Sequence, residues 1–325
     1  MLSLSAMLVL MAALSVSEPD PLPSWNDGPA KKAILDFVRR VTETDGKDFV
    51  SPGERIAVFD NDGTLWPENP VPFELAFVLD RVKVLAPQHP EWKEKQPFKA
   101  VLEGDHAALL ASGKQGLIEL IKASHTGMTT EEFDAAVRVW LQSAKHPRWN
   151  RPYTDLTFQP MQEVLRLLRA HGFKTYIVSG GTAEFMRVWS EEVYGIPPEQ
   201  VIGTLFKTKF DLKDGQPSLM RLPEVVLFDD KEAKPVAVHQ IIGRRPIAAV
   251  GNSDGDVAML QWTTTRKGPS FGLIVHHTDA EREYAYDRSP KSSGKLDLGI
   301  AEARRFGWIM VDMKTDWKRV FAFED

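Results

Sequence analysis

Residues 55–66 read RIAVFDNDGTLW, and this stretch determines the predicted fold. The run from Ile56 to Phe59 is continuously apolar, which is typical of a parallel strand buried on both faces. Asp60 and Asp62 follow at once, so the strand delivers two carboxylates to the carboxyl edge of a sheet, where open α/β sheets bind ligands. Like charges this close are unfavourable unless a cation lies between them. Although Asn-Asp-Gly is also an ordinary turn sequence, the stretch predicts a metal site and a reaction.

The composition is that of an ordinary soluble globular protein. The 325 residues are 43% hydrophobic and 26% charged, and the length suggests roughly two structural units. The formal net charge of -5 and the lack of a basic run argue against nucleic-acid binding. There is no cysteine, which excludes disulfides, thiolate metal ligands and a cysteine nucleophile.

The N-terminus has the pattern of an export signal. Residues 6–16 are apolar and precede a polar stretch containing Pro19, and this run is too short to cross a bilayer as a helix. We predict that residues 1–18 are a signal peptide and that the protein is exported, periplasmic or secreted, without a stable membrane anchor. No lysine or arginine precedes the apolar run, so a cytoplasmic protein is the alternative.

Beyond the first strand, the chain alternates between helical and strand-like patterns. After Trp66 the pattern is helical for about ninety residues, with one helix predicted at 98–109, which indicates a helical insertion. Strands separated by helices then follow, and they predict an α/β fold with a doubly wound parallel sheet. Asp214 and Gly215 predict a hairpin turn. The later predicted strands lie at 174–178, 245–250 and 272–276, with a candidate edge strand at 308–311.

Polar residues occur at several predicted element ends that a parallel sheet would bring to one edge. They are Asp60 with Asp62, Ser179 with Gly180 and Gly181, Lys234 directly before a helix predicted at 235–242, and Asn252 with Asp254 and Asp256. In this order they resemble the motifs of the haloacid dehalogenase (HAD) superfamily, over about residues 50–280. The D-x-D-G-T pattern is highly specific in this context, and GNSDGD after a buried strand is moderately specific, whereas the serine and the lysine are weak alone.

The resemblance implies a Rossmann-like core and a phosphomonoesterase that acts on a small phosphorylated metabolite. Asp60 would be the nucleophile and would form an aspartyl-phosphate intermediate. Asp62 would protonate the leaving oxygen and then activate the hydrolytic water. Ser179 and Lys234 would contact the transferring phosphoryl group, and Lys231 is the alternative to Lys234. The remaining predicted phosphate-binding residues are Gly180, Gly181 and Thr64.

The resemblance also implies Mg²⁺ as cofactor, held by the Asp60 carboxylate and the Asp62 backbone carbonyl. A third ligand would come from the loop after the strand at 245–250. That loop usually begins Gly-Asp in the family, whereas here the second residue is Asn252, an uncharged ligand. Either Asn252 is the ligand and Mg²⁺ binds more weakly, or Asp256 carries more of the load, with Asp254 less favoured. If Asn252 is the ligand, Asn252→Asp is expected to tighten Mg²⁺ binding.

The helical insertion resembles the C1 cap of the phosphoserine-phosphatase-like branch, and such a cap suits a small substrate better than a protein. Glu68, Glu74 and Arg187 are candidates for substrate contact near the predicted mouth. The paired histidines His276 and His277 lack a third ligand nearby and are predicted to be structural. The predicted divisions are a signal peptide at 1–18, a catalytic core at 19–66 and 159–325, and a cap at 67–158.

Several alternatives share this fold. A 2-haloacid dehalogenase would need the nucleophile but not Asp62, and a phosphonate hydrolase would need a lysine of the cap. A phosphotransferase or phosphomutase fits the same motifs. A non-catalytic protein that binds a phosphorylated ligand is the alternative from another class, and metal-dependent turnover would separate it from the enzymes. The oligomeric state is not predicted.

Overall fold

The computed structural model describes residues 19–288 and 294–324, and a mostly parallel sheet lies at its centre. Its strands are β1 (Ile56–Phe59), β2 (Lys174–Thr182), β3 (Val201–Lys213), β4 (Gln216–Leu227), β5 (Ala248–Gly251), β6 (Phe271–His276) and β7 (Ile309–Asp312). The strand order is β4-β3-β2-β1-β5-β6-β7. Among these strands, β4 alone is antiparallel to its neighbour. The predicted signal peptide lies outside the described residues.

The helices surround this sheet. In the described part of the chain they are α1 (Pro29–Thr42), α2 (Phe73–Leu85), α3 (Phe98–Glu103), α4 (His106–Ala111), α5 (Gly113–His125), α6 (Thr130–Ser143), α7 (Gln159–Ala170), α8 (Ala183–Arg187), α9 (Ser190–Tyr194), α10 (Ala233–Ile242), α11 (Val257–Thr264), α12 (Leu298–Phe306) and α13 (Met313–Asp316). Within the described residues, no helix has the length and apolar character needed to cross a membrane.

Strand β1 shows why the fold is doubly wound. Its side chains alternate between two hydrophobic cores: Ala57 and Phe59 belong to one, and Ile56 and Val58 belong to the other. Helices α1 and α7 contribute to the first core, and α10, α11 and α12 to the second. A strand covered on both faces must be apolar at every position, which explains the unbroken run in the sequence. The predicted α/β class is confirmed.

The register of the sheet brings the ends of three strands together. In the parallel pairs, Phe59 of β1 lies opposite Ile177 of β2 and Val250 of β5. The residues that follow these positions therefore share one edge. Strand β2 continues past the predicted end at Val178 as far as Thr182, with an irregular register against β3.

Helices α2 to α6 fall between β1 and β2 in the chain, where the helical insertion was predicted. The helix predicted from 98 to 109 is interrupted, because Gly104 adopts a φ of 70° and ends α3. The hairpin predicted at Asp214 and Gly215 is present, with a two-residue loop between β3 and β4. Both loop residues have positive φ, as a type I′ turn requires. The cap boundaries at 66/67 and 158/159 stay a prediction.

Candidate active site

A cavity of about 250 Å³ contains most of the predicted catalytic and phosphate-binding residues. Those that line it are Asp60, Asp62, Ser179, Gly180, Gly181 and Lys234. They come from the ends of β1 and β2 and from the start of α10, which the parallel topology places side by side. A larger cavity of about 670 Å³ is lined by Arg187 but by none of these residues.

The ammonium of Lys234 joins two buried carboxylates. Its Nζ donates to Oδ1 of Asp60 at 2.7 Å and to Oδ1 of Asp256 at 2.6 Å. Lys234 lies inside the first turn of α10, one residue after the helix starts at Ala233, and not before the helix as the sequence suggested. The alternative, Lys231, is exposed. The structure therefore brings Lys234 to the predicted nucleophile.

Burial and neighbouring charges shift the pKa values of Asp60 and Lys234. Burial raises the pKa of Asp60 well above its usual value, and Asp256 raises it further, while Lys234 opposes both. Burial lowers the pKa of Lys234, but Asp256 and Asp60 outweigh that effect and hold the lysine charged. A fixed cation beside a buried carboxylate is the arrangement that binding an anionic phosphoryl group requires.

Asp62 combines a raised pKa with a fixed orientation. The indole Nε1 of Trp66 donates to its Oδ1 at 2.7 Å. Burial raises the pKa of this carboxyl to about 7, with further contributions from Glu68 and Glu74, although the Trp66 hydrogen bond lowers it. A carboxyl that titrates near neutrality can both give and accept a proton at working pH.

The end of β2 forms a second wall of the cavity. The amide of Gly181 donates to Ser179 Oγ at 3.2 Å. The backbone N–H of Thr182 donates to Glu74 Oε2 at 2.8 Å, so a glutamate of α2 holds this strand end. A Cβ on Gly181 would lie 2.7 Å from the same Glu74 oxygen, so only glycine fits without a shift. Ser179, Gly180 and Gly181, which were predicted to follow the strand, thus belong to its extension, and Glu74 of the helical insertion holds that extension in place.

The loop after β5 places its acidic residues in different roles. Oδ2 of Asp256 accepts hydrogen bonds from the amides of Asn252 and Ser253 at 3.0 Å each, and its Oδ1 is occupied by Lys234. Oδ1 of Asp254 accepts from the backbone of Asp297 and Gly299. Both carboxylates therefore hold protein groups in place.

Asn252 is buried, and its side chain lies between two polar partners. Its Oδ1 accepts from the Thr64 hydroxyl at 3.2 Å, and its Nδ2 donates to Glu68 Oε1 at 2.7 Å. Thr64 is itself fully buried. The structure thus brings Thr64 to Asn252 and does not bring it to the lining of the cavity.

The oxygen donors near Asp60 fit a hard cation such as Mg²⁺. Within the described residues, no group of three His, Cys, Asp or Glu side chains is arranged as a metal site. The predicted set, however, needs the Asp60 carboxylate, a backbone carbonyl and the Asn252 amide oxygen, so it contains no such group. Burial raises the pKa values of Asp60 and Asp62, because it disfavours their negative charge. A divalent cation would balance that charge.

Several residues of the site carried no clear signal in the sequence. His277 is buried, and its Nε2 donates to the carbonyl of Gly63 at 2.7 Å while its Nδ1 lies 2.9 Å from Glu283 Oε2. Glu283 is fully buried, although it lies in a stretch rich in charged residues. The structural role predicted for His277 fits these contacts, because they fix the turn that carries Asp62.

The candidates for substrate contact divide into two groups. Glu68 and Glu74 line the cavity. Arg187 does not, and its guanidinium donates instead to the carbonyls of Pro198 and Val201.

Comparisons with known proteins are consistent with the α/β fold described above. The family model of haloacid dehalogenase-like hydrolases matches residues 57–261. Among solved structures, a conserved functionally unknown protein from Anaerococcus prevotii DSM 20548 is similar, with 15% identity over 87% of this chain and 91% of that chain and a TM-score of 0.56. This likeness supports the fold alone.

Two further solved structures are more distant. A protein of unknown function from Bordetella pertussis Tohama I has 17% identity over 80% of this chain and 99% of that chain, with a TM-score of 0.48. A phosphoserine phosphohydrolase-like protein from Francisella tularensis subsp. tularensis SCHU S4 has 14% identity over 77% and 98%, with a TM-score of 0.40. No curated protein sequence matches this chain. The family model spans more than half of the 325 residues, and the chain therefore belongs to the haloacid dehalogenase-like hydrolase family.

Proposed function

We propose that this protein is a Mg²⁺-dependent phosphomonoesterase that hydrolyses a small phosphorylated metabolite. The observation that carries the proposal is the meeting of Asp60, Asp62, Ser179 and Lys234 in one cavity. It unites a carboxylate nucleophile, a carboxyl that titrates near neutrality, a hydroxyl and a fixed ammonium. Together these groups supply a nucleophile, a proton donor and charge stabilisation for a reaction that is extremely slow without a catalyst.

In the proposed first step, a carboxylate oxygen of Asp60 attacks phosphorus and the bond to the ester oxygen breaks. Asp62 gives its proton to that oxygen, and the alcohol leaves. In the second step Asp62, now ionised, takes a proton from water, and the resulting hydroxide attacks phosphorus. The acyl-phosphate bond breaks, inorganic phosphate is released, and Asp60 is regenerated. Lys234 neutralises charge on the phosphoryl oxygens in both steps.

We propose that Mg²⁺ is held by the Asp60 carboxylate, the Asp62 carbonyl and Asn252. We prefer Asn252 to Asp256 because both Asp256 oxygens already accept hydrogen bonds from Lys234 and the loop amides. When bound, the cation supplies charge that lets an anionic nucleophile approach an anionic phosphate. Thr64, which donates to Asn252, is then a positioning residue and not a phosphate ligand.

We infer that the helical insertion acts as a cap of the phosphoserine-phosphatase-like kind, occupying about residues 67–158. Its apolar side chains in the cavity wall include Leu75 and Val78 of α2 and Leu117 and Ile121 of α5. Such a wall over a polar reaction centre favours a small organic phosphomonoester and excludes water. Export directed by residues 1–18 stays part of the proposal.

The dehalogenase alternative is disfavoured by Asp62. A haloacid has no leaving oxygen to protonate, yet the structure gives Asp62 a raised pKa and an indole hydrogen bond that orients it. Phosphotransfer uses the same first step and differs only in the acceptor. A non-catalytic phosphate-binding protein would have no need of such a carboxyl.

The direct test is hydrolysis of para-nitrophenyl phosphate by the protein without residues 1–18, in Mg²⁺ and in EDTA. We expect turnover in Mg²⁺ that EDTA abolishes and added Mg²⁺ restores. Turnover unaffected by EDTA would remove the metal from the proposal. Absence of turnover across a panel of phosphorylated metabolites would overturn the phosphatase assignment, and transfer to added alcohols would favour a phosphotransferase.

Asp62→Asn should separate the leaving-group step from the rest. Because the pKa of Asp62 is raised to about 7, its acid form is present below that pH and is lost above it. We therefore expect kcat/KM for an alkyl phosphate to decline above about pH 7, and Asp62→Asn to lower it by about 10²- to 10⁴-fold. The loss should be smaller for para-nitrophenyl phosphate, whose leaving group needs no proton. Equal losses for the two substrates would contradict the assigned role.

A further inference from the structure

Glu68 is a buried glutamate in direct contact with the proposed metal ligand. It follows β1 by nine residues, is 2% exposed and lines the cavity. Its Oε1 accepts from Asn252 Nδ2 at 2.7 Å and from the Tyr286 hydroxyl at 2.8 Å. These hydrogen bonds hold a buried carboxylate beside Asn252, as a buried polar group requires.

Two glycines leave room for this carboxylate. A Cβ on Gly63 would lie 2.4 Å from Glu68 Oε1 and 2.0 Å from Asn252 Nδ2. A Cβ on Gly294 would lie 2.1 Å from the same Glu68 oxygen. Both glycines have positive φ, at 74° and 86°. The backbone therefore closes on the Glu68–Asn252 pair from two segments of the chain, which marks the pair as a built feature of the site.

The pair also fixes the orientation of the Asn252 amide. A carboxylate can only accept, so the group that faces Glu68 must be the Nδ2 amine. The amide oxygen then faces Thr64, and with two lone pairs it can accept that hydroxyl and still bind a cation. An aspartate at this position would face Glu68 with a second carboxylate, at the 2.7 Å now spanned by a hydrogen bond.

We propose that Glu68 is a positioning residue for Mg²⁺: it orients the Asn252 oxygen and supplies the negative charge that Asn252 lacks. This inference rests on the proposed metal dependence. The negative charge thus lies on Glu68, in the segment after β1, and not on an aspartate at position 252, in the loop after β5. It acts across one hydrogen bond, as outer-shell carboxylates do when they orient and polarise a metal ligand.

The test is calorimetric titration of Mg²⁺ into EDTA-treated, dialysed protein, for the wild type, Glu68→Gln, Asn252→Asp and the double variant. Glu68→Gln should weaken Mg²⁺ binding by about 10- to 100-fold. Asn252→Asp alone should not tighten it, because two carboxylates then face each other. The double variant returns the negative charge to position 252, and its Mg²⁺ affinity should return to within about threefold of wild type, as expected for coupled neighbours.

Glu74→Gln, the same change on another wall of the cavity, is the control and should alter Mg²⁺ affinity less than Glu68→Gln.

The proposal would be overturned by unchanged affinity in Glu68→Gln, by tighter binding in Asn252→Asp with Glu68 intact, or by a double variant no better than the weaker single variant. An equal loss in Glu74→Gln would also overturn it, since the effect would then be general to the cavity charge. All substitutions are isosteric, and melting curves in EDTA verify that each variant folds.

Wild-type protein that binds Mg²⁺ but hydrolyses nothing would refute the proposed phosphatase activity and leave this inference standing. Wild-type protein that binds no Mg²⁺ would refute both.

Discussion

Asp60→Asn is expected to lower the turnover of para-nitrophenyl phosphate by at least about 1,000-fold, because an amide cannot form and release the acyl-phosphate. The fold should persist. Lys234 keeps its second hydrogen bond, to Asp256 at 2.6 Å, so no buried cation is left without a partner. Removal of a carboxylate whose pKa burial has raised also relieves an unfavourable charge, so the melting temperature should stay the same or rise.

The matched control is Asp230→Asn, which makes the same change in a residue that lines the same cavity. We expect this variant to keep measurable turnover. Rapid-quench experiments with radiolabelled substrate give a second measure, since wild-type protein should show acid-stable labelling and Asp60→Asn should show none. Turnover in Asp60→Asn close to that of the wild type, with Mg²⁺ present, would refute the covalent mechanism.

The parts of this site that the sequence predicts are those that depend on local pattern and parallel topology. The apolar run at 56–59 identifies a central strand, and parallel strands must end at one edge. Asp60, Ser179 and Lys234 therefore meet as expected, although up to 174 positions separate them. The helix that carries Lys234 begins at Ala233, two residues before the predicted start at Pro235, because proline is tolerated in the first turn of a helix and does not fix which residue begins it.

The parts that could not be predicted are contacts between residues whose types give no local signal. Glu68 meets Asn252 across 184 positions, and His277 meets Gly63 across 214. Glu283 lies in a stretch rich in charge, which normally indicates surface, yet it is buried because His277 is its partner. Burial of a charged side chain is decided by a partner elsewhere in the chain, so periodicity and composition cannot reveal it.

These contacts also change one expectation drawn from the sequence. With Asn252 considered alone, an aspartate there should tighten Mg²⁺ binding, because it adds charge to a ligand. With Glu68 only 2.7 Å away, the same substitution places two carboxylates together. The sign of the effect on Mg²⁺ affinity therefore depends on Glu68, whose contact with Asn252 no local sequence pattern indicates.

Lys234→Met should have the largest effect on stability. It leaves the Asp60 and Asp256 carboxylates buried without their shared cation, and removing one partner from a buried ion pair typically costs about 3–5 kcal/mol. Lys231→Met is the control: that lysine is exposed, and its loss should change the free energy of unfolding by less than about 0.5 kcal/mol. Activity should fall only in Lys234→Met, by about 10²- to 10³-fold, as when one charge-stabilising group is lost.

The pH dependence of stability distinguishes loss of the Lys234 charge from loss of its side-chain packing. The pKa of Asp60 is already raised in the folded protein, and loss of Lys234 would raise it further above the unfolded value. At pH values between the unfolded-state pKa and the folded-state pKa of Asp60, the folded variant binds more protons than the unfolded variant. The free energy of unfolding of the variant therefore rises as the pH falls. In the wild type the pKa of Lys234 is raised, so its favourable contribution persists throughout this range and is lost only at higher pH. Urea unfolding in EDTA should therefore show a larger deficit for Lys234→Met at pH 8 than at pH 5. A deficit equal at both pH values would mean that the side-chain volume, and not the charge, is what the fold requires.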